Sequence, residues 1–168
     1  MIKMNVMGIA IDTRTGSPIV VLKDEENRRA LPIWIGSAEA SAIIRRIENI
    51  PVARPMTHDL ICTIIKEMDY EVKKIEIHDV EKETYFANIF LSNGDNEIII
   101  DARPSDAIAV AIRTNAEIYV TSNVIAEGTI STDKEKDEKE AEEFKEFIKD
   151  VKPSDFQKLL DQHKDSDQ

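Results

Sequence analysis

Two short segments concentrate the residue types that grip phosphate and move protons. Arg54-Pro55-Met56-Thr57-His58-Asp59-Leu60 and Asp101-Ala102-Arg103-Pro104-Ser105-Asp106-Ala107 each place an arginine, a proline, a hydroxyl residue and an aspartate at the start of a predicted helix. The planar guanidinium forks onto phosphate or carboxylate oxygens. Asp59 and Asp106 fall where a helix dipole favours an ionised carboxylate. Carboxylates beside an imidazole, here His58, suit a hard divalent cation or general acid–base work. Asp101 precedes Arg103 at a strand end. If the two segments meet in the fold, the set has the composition of a phosphoryl-transfer site. Glu39, early in another predicted helix that precedes both segments, is a further candidate carboxylate. A purely structural reading stands beside this one. Proline, then Ser or Thr, then Asp is a good helix start whatever the chemistry. The chain repeats it at Pro153-Ser154-Asp155 with lysine in place of arginine. Thr57, Ser105 and Ser37 are therefore expected to cap their helices.

The elements that would hold these residues follow from apolar periodicity. Lys3–Asp12 and Ser17–Lys23 read as a β-hairpin, and Ala30–Ile35 as a third strand with the only tryptophan, Trp34. Ala40, Ile43, Ile44 and Ile47 form one face of a first helix. Leu60, Ile61, Ile64, Ile65 and Met68 form that of a second. Glu71–Val80 and Thr84–Ser92 alternate as half-buried strands. Asn93-Gly94 turns the chain into Asn96–Asp101. Ser105–Thr114 is apolar nearly all round, so a central helix is expected, and Glu117–Val120 is a last short strand. Strands come in runs instead of alternating with helices. The expected fold class is α+β, a mixed and mostly antiparallel sheet with about three packed helices.

The 168 residues, with 42% hydrophobic and 33% charged, fit one working domain and an appendage. The boundary is set at residues 1–130 and 131–168. From Ser131 onward, 13 acidic residues and eight lysines leave a net −5 of the total −11. All eight arginines lie before it. The tail is expected to be charged and helical, with Phe144, Phe147, Ile148 and Val151 on one stripe that needs a partner surface. One cysteine, Cys62, excludes an internal disulfide and every thiolate-rich metal site. No phosphate-binding glycine loop, nucleophile elbow or zinc motif occurs. At 5% aromatic residues, base-stacking platforms are scarce. The acidic balance excludes non-specific nucleic-acid binding through the overall field. No apolar run approaches the roughly 20 residues of a membrane span. The start lacks a secretory pattern, so the cytoplasm is the expected compartment and no membrane partner is expected.

Several motifs in order carry a resemblance. Leu31-Pro32-Ile33-Trp34-Ile35-Gly36, Glu39-Ala40, Arg54-Pro55, Thr57-His58-Asp59-Leu60, and Asp101 with Arg103-Pro104-Ser105-Asp106-Ala107 resemble the bifunctional nuclease domain family over about residues 4–127. The resemblance implies a compact mixed fold, often in a homo-oligomer, and nuclease activity on DNA and RNA. Its motif positions fall on Glu39, Arg54, His58, Asp59, Asp101, Arg103 and Asp106. Plant members carry a C-terminal interaction motif that this Lys/Glu-rich tail does not match. On this reading the protein is a phosphodiester hydrolase. His58, Asp59, Asp106 and Glu39 are its catalytic candidates, and Arg54, Arg103, Thr57 and Ser105 its substrate contacts. A divalent Mg²⁺ or Mn²⁺ would be held by Asp59, Asp101 or Asp106. The alternative is a non-enzymatic oligomeric binding module whose tail recruits a protein partner.

Overall fold

The computed structural model describes residues 1–132 and, as backbone alone, residues 148–150. In chain order the described elements are β1 (Ile2–Asp12), β2 (Pro18–Asp24), β3 (Arg29–Trp34), α1 (Ser37–Ile47), α2 (Thr57–Glu67), β4 (Glu71–Glu81), β5 (Thr84–Ser92), β6 (Glu97–Ala102), α3 (Pro104–Thr114), β7 (Glu117–Val120), α4 (Ser122–Gly128), β8 (Ile130–Ser131) and β9 (Ile148–Asp150). The fold is α+β. One sheet runs in the order β6-β5-β4-β7-β1-β2-β3-β8, with β9 added beside β1. Every pairing is antiparallel except β4 with β7. Among the described residues no helix is long and apolar enough to cross a membrane.

Alternation along the strands decides what faces the helices. Ile75 and Ile77 of β4, Ala87 and Ile89 of β5, and Val20 and Leu22 of β2 point into one core. Its centre is α3. Ala107, Ile108, Ala109, Val110 and Ala111 are all fully buried, as an all-round apolar helix requires. α3 links β6, at one edge of the sheet, to β7 in its middle, so it lies across β4 and β5 and packs on both. α1 and α2 flank it. A smaller buried set, Ala10, Ile19, Val21 and Ala30, takes the alternate positions on β1–β3.

Four expectations change. α4 is an additional, fourth helix; it is seven residues long, too short for periodicity to reveal, and it is anchored by Val124 and Ile125. The α2 stripe divides. Ile61 and Ile65 pack on the core, whereas Leu60, Ile64 and Met68 are exposed. The three hydroxyl caps move toward the N-terminus, by one residue in α1 and α2 and by two in α3: Gly36, Met56 and Arg103 hold the extended N-cap conformation, and Ser37, Thr57 and Ser105 are already inside their helices. In α3 the reason is Pro104. It lacks an N–H and suits the first helical position, and it forces an extended conformation on the residue before it. In the tail, Ile148–Asp150 form a strand opposite Ala10–Asp12 instead of a helical turn. The remainder of the predicted tail helix lies outside the described residues.

The first hairpin is locked by a buried carboxylate. Asp12 accepts hydrogen bonds from the Arg14 backbone N–H at 2.9 Å and the Trp34 indole Nε1 at 3.0 Å. Burial works against its charge, but these donors and the Arg14 guanidinium outweigh it and lower its pKa to about 2. A depressed folded pKa gives stability that is fully present above the ordinary value of 3.8 and lost as pH falls through about 2. Asp12→Asn should therefore flatten part of the acid limb. Urea midpoints at pH 5 and pH 2 should fall further apart in the parent than in the variant. Equal differences would remove Asp12 from the acid response.

Candidate active site

Three helices that begin at the same end of the core share one sequence device. An extended N-cap residue is followed, three positions on, by an acid: Gly36 and Glu39 in α1, Met56 and Asp59 in α2, Arg103 and Asp106 in α3. An acid at that position complements the unpaired N–H groups of the first turn. In α2 this is direct, since Asp59 Oδ2 accepts the Met56 N–H at 2.9 Å. In α1 the Glu39 carboxylate lies against Gly36, in the space a Cβ there would take.

Tertiary packing turns two of these carboxylates into a cluster. Arg103 forks onto Asp106, with Nε to Oδ2 at 2.8 Å and Nη2 to Oδ1 at 3.1 Å. Its Nη1 reaches Glu39 Oε1 at 2.8 Å. The His58 Nε2 meets the same Asp106 Oδ1 at 2.9 Å. The two segments singled out in the sequence therefore do come together, and Glu39 joins them. Burial raises the cost of charge on Asp106, but Arg103 and His58 more than offset it, and the pKa falls below the usual carboxylate range. An ionised carboxylate only accepts. So His58 Nε2 carries the proton in that hydrogen bond, and a neutral ring has its lone pair on Nδ1. The Asp106 and Glu39 carboxylates raise the Arg103 pKa still higher and keep it charged. Arg103 spends three of its five N–H donors on them. Its side chain is 64% exposed, so two donors remain for a ligand.

Asp59 belongs to a different unit. Arg113 Nε meets its Oδ1 at 2.8 Å, and this contact, with the Met56 N–H, lowers its pKa. Arg113 is 7% exposed and also donates to the carbonyls of Ala109 and Ala42, both at 2.9 Å. It ties α1, α2 and α3 together. Sequence reading gave Arg113 no role. The signal was its isolation, as a lone charge in the last turn of an otherwise apolar helix.

Other candidates stand apart. Asp101 sits on exposed β6 opposite Asn88 of β5. Ser105 is buried at the second position of α3. Arg54 and Thr57 are exposed on the connector into α2 and on its first residue. The carboxylates proposed as metal ligands do not converge. Both oxygens of Asp59 and both of Asp106 are engaged by N–H donors, and Asp101 is on another element. Among the described residues no three His, Cys, Asp or Glu side chains are grouped to hold a metal ion. As placed, Asp59, Asp101 and Asp106 do not share one set of oxygens that would together hold Mg²⁺ or Mn²⁺. Burial pushes the half-buried Cys62 thiol upward, away from a reactive thiolate.

A family model described as the bifunctional nuclease domain matches residues 20–133. An uncharacterized protein of Mycobacterium tuberculosis is 35% identical over 162 residues, 92% of this chain and 97% of that protein. Bifunctional nuclease 2 of Oryza sativa subsp. japonica is 34% identical over 120 residues, 69% of this chain and 37% of that protein. Bifunctional nuclease 1 of Arabidopsis thaliana is 32% identical over 127 residues, 68% of this chain and 39% of that protein. The chain thus matches well under half the length of either plant protein.

The two carboxylate units should separate under mutation. Arg113→Met leaves Asp59 without its main partner. A third of that carboxylate stays open to water, so the loss should be about 2–3 kcal/mol, less than the roughly 3–5 of a fully buried pair. Urea denaturation measures it, and an unchanged midpoint would show that the pair adds nothing to stability.

Proposed function

The chain belongs to the bifunctional nuclease domain family, and on that premise we propose that it cleaves phosphodiester bonds of nucleic acid, DNA or RNA, at the Glu39–Arg103–Asp106–His58 cluster. One observation carries this reading. A charged, exposed guanidinium with two spare donors is held beside an imidazole whose tautomer is fixed by an ionised carboxylate. Arg103 takes a phosphate oxygen and stabilises the charge that develops as the phosphorus gains a fifth bond. His58 moves the proton. Asp106 orients both groups, and Glu39 holds the outer edge of the guanidinium, so these two act as positioning residues. Arg54, exposed ahead of α2, is a second phosphate contact. Ser105 and Asp59 are left out of the chemistry, the first because it is buried and the second because Arg113 and Met56 occupy it. No step is routed through a metal ion. With a net charge of −11, affinity for nucleic acid rests on local contacts and falls as salt rises.

A second reading has its own observation. β6 is an edge strand, yet Ile98, Ile99 and Ile100 are 39%, 59% and 41% exposed along it. Long apolar edges invite strand pairing between copies. On this reading the protein is an oligomeric binding module. Light scattering on Ile99→Lys tests it, with a smaller mass expected if copies meet at β6 and an unchanged mass counting against that interface. The recruiting role read from the tail lies outside the described residues.

Labelled single- and double-stranded DNA and RNA distinguish the enzyme from the module. His58→Ala should slow cleavage about 10²–10⁴-fold, and Arg103→Ala about 10²–10³-fold. A His58→Ala, Asp106→Asn double variant, prepared identically, controls for contaminating nuclease. Equal cleavage by parent and double variant, or none by either, would defeat the nuclease reading.

A further inference from the structure

β2 is enclosed on both of its faces. Val20 and Leu22 enter the main core, while Ile19 and Val21 point the other way and are buried too, with Ala10 of β1 and Ala30 of β3. The unbroken apolar run Pro18-Ile19-Val20-Val21-Leu22 is what a strand covered on both sides requires. The ladder sets this second group on the outer face of the β1–β2–β3 ribbon, with Ala10 opposite Ile19 and Ile19 opposite Trp34. Side chains standing next to one another on a sheet do not close the space above them. The helices do not close it either. Ile43 of α1, Ile61 of α2, Ile108 of α3 and Val124 of α4 all lie in or against the main core, on the inner face. Further along the same outer face the sheet is bare, since Ile99 of β6, opposite Phe90, is 59% exposed. The outer cover is therefore confined to β1–β3.

We propose that this cover is the chain's own C-terminal segment, with Phe144 and Phe147 seated on the outer face of β1–β3. The path of the chain leads there. Thr132 is held at the start of β3, its N–H donating to the Arg28 carbonyl at 2.7 Å. The next described residues form β9, with Ile148 opposite Asp12 on the side of β1 away from β2. β8 and β9 thus flank the ribbon on opposite sides, and residues 133–147 connect them. Neighbouring strands lie about 4.8 Å apart, so the distance across from β8 through β3, β2 and β1 to β9 is roughly 19 Å. The offset along the strands, from the Lys23–Ala30 pair to the Pro18–Ile11 pair, adds about 17 Å at right angles. The diagonal is about 25 Å, which a helix of about 15 residues nearly spans and a looser chain spans with slack. α1 already packs on β1 and β2 from the inner side, so the outer face is the direct route.

The sequence of the segment fits that route. Between Thr132 and Ile148 the large apolar side chains are Phe144 and Phe147 alone, and the others are Asp, Glu and Lys with one alanine. The two phenylalanines come at the β9 end of the crossing, next to the row formed by Ala10, Ile19 and Trp34. The charged residues leave the opposite side of the segment in water. The stripe read in the tail thereby finds its surface on the same chain, and a separate protein would have to displace it to be recruited there. This inference stands independently of the nuclease reading.

The test uses the full chain carrying Cys62→Ala and Glu143→Cys, with a nitroxide on the introduced thiol and isotope labelling of the backbone nitrogens. Val21 and Ala30 are the reporters, because β9 by itself brings the tail close to Ala10. Their amide signals should be lost, and should return when ascorbate reduces the nitroxide. Those of Ile43 and Ile44 in α1, on the inner face, should persist. A nitroxide-bearing chain without isotope, mixed with an isotope-labelled chain without nitroxide, should leave every signal intact. Adding Phe144→Ala and Phe147→Ala should restore the Val21 and Ala30 signals, and acrylamide should then quench Trp34, the only tryptophan, more strongly. Persistence of the Val21 and Ala30 signals in the first sample would overturn the inference. Loss of signal in the mixture would give the face to the tail of a second copy and overturn it also. Signals still lost after the phenylalanines are removed would take those two residues out of the cover and likewise overturn it.

Discussion

The geometry of the candidate site depends on one carboxylate. Asp106 accepts from Arg103 through both oxygens and from His58 through one of them. Through Arg103 it is also linked to Glu39. The starts of α1, α2 and α3 are thereby joined at a single side chain. All three starts carry the positive end of a helix dipole and would repel one another if left bare. An ionised acid three residues into each helix neutralises that end, and the arginine between two of the acids removes the repulsion the acids would create. The cluster is thus what allows three helix N-termini to approach. The same arrangement leaves a guanidinium with unused donors at the surface.

Packing and the open candidate site are divided between two similar pairs. Arg113 with Asp59 is enclosed and also satisfies two backbone carbonyls, so it fixes how the three helices lie against one another. Arg103 with Asp106 is open on the arginine side. In each pair an acid near a helix start meets an arginine at one end of α3, its N-cap Arg103 or Arg113 in its last turn. α3 can carry both because its body is wholly apolar and is clamped over β4 and β5. A rigid central helix holds its two charged ends in fixed places. The His58 imidazole, 11% exposed, is then aimed by Asp106 and not by its own rotamer preference alone.

Much of this was legible in the sequence because it rests on local rules. Alternation and turn residues placed β4 and β5 within a residue or so, and the Asn93-Gly94 turn, with its αL-favouring glycine at φ 94°, joined β5 to β6. The all-round apolar segment announced α3 as central. Residue types alone nominated His58, Asp106, Arg103 and Glu39, since no structural need calls for an arginine and a histidine at a helix start. The family, too, was readable from the order of its motifs.

What only the tertiary structure decided is which charges meet. Asp59, Asp101 and Asp106 are equivalent on paper, each an acid near a helix start or strand end. In the fold one is held by Arg113, one lies on an exposed edge strand, and one anchors the cluster. The pairing of a carboxylate with an arginine tens of residues away depends on how helices cross a sheet, and no spacing within either segment encodes that. The same holds for exposure. The α2 stripe reads as one apolar face by pattern, but part of it, like the isoleucines of β6, lies at the margin of the fold with nothing among the described residues packed against its outer side. Local sequence fixes the period of a surface; the neighbours that cover it are a property of the whole chain.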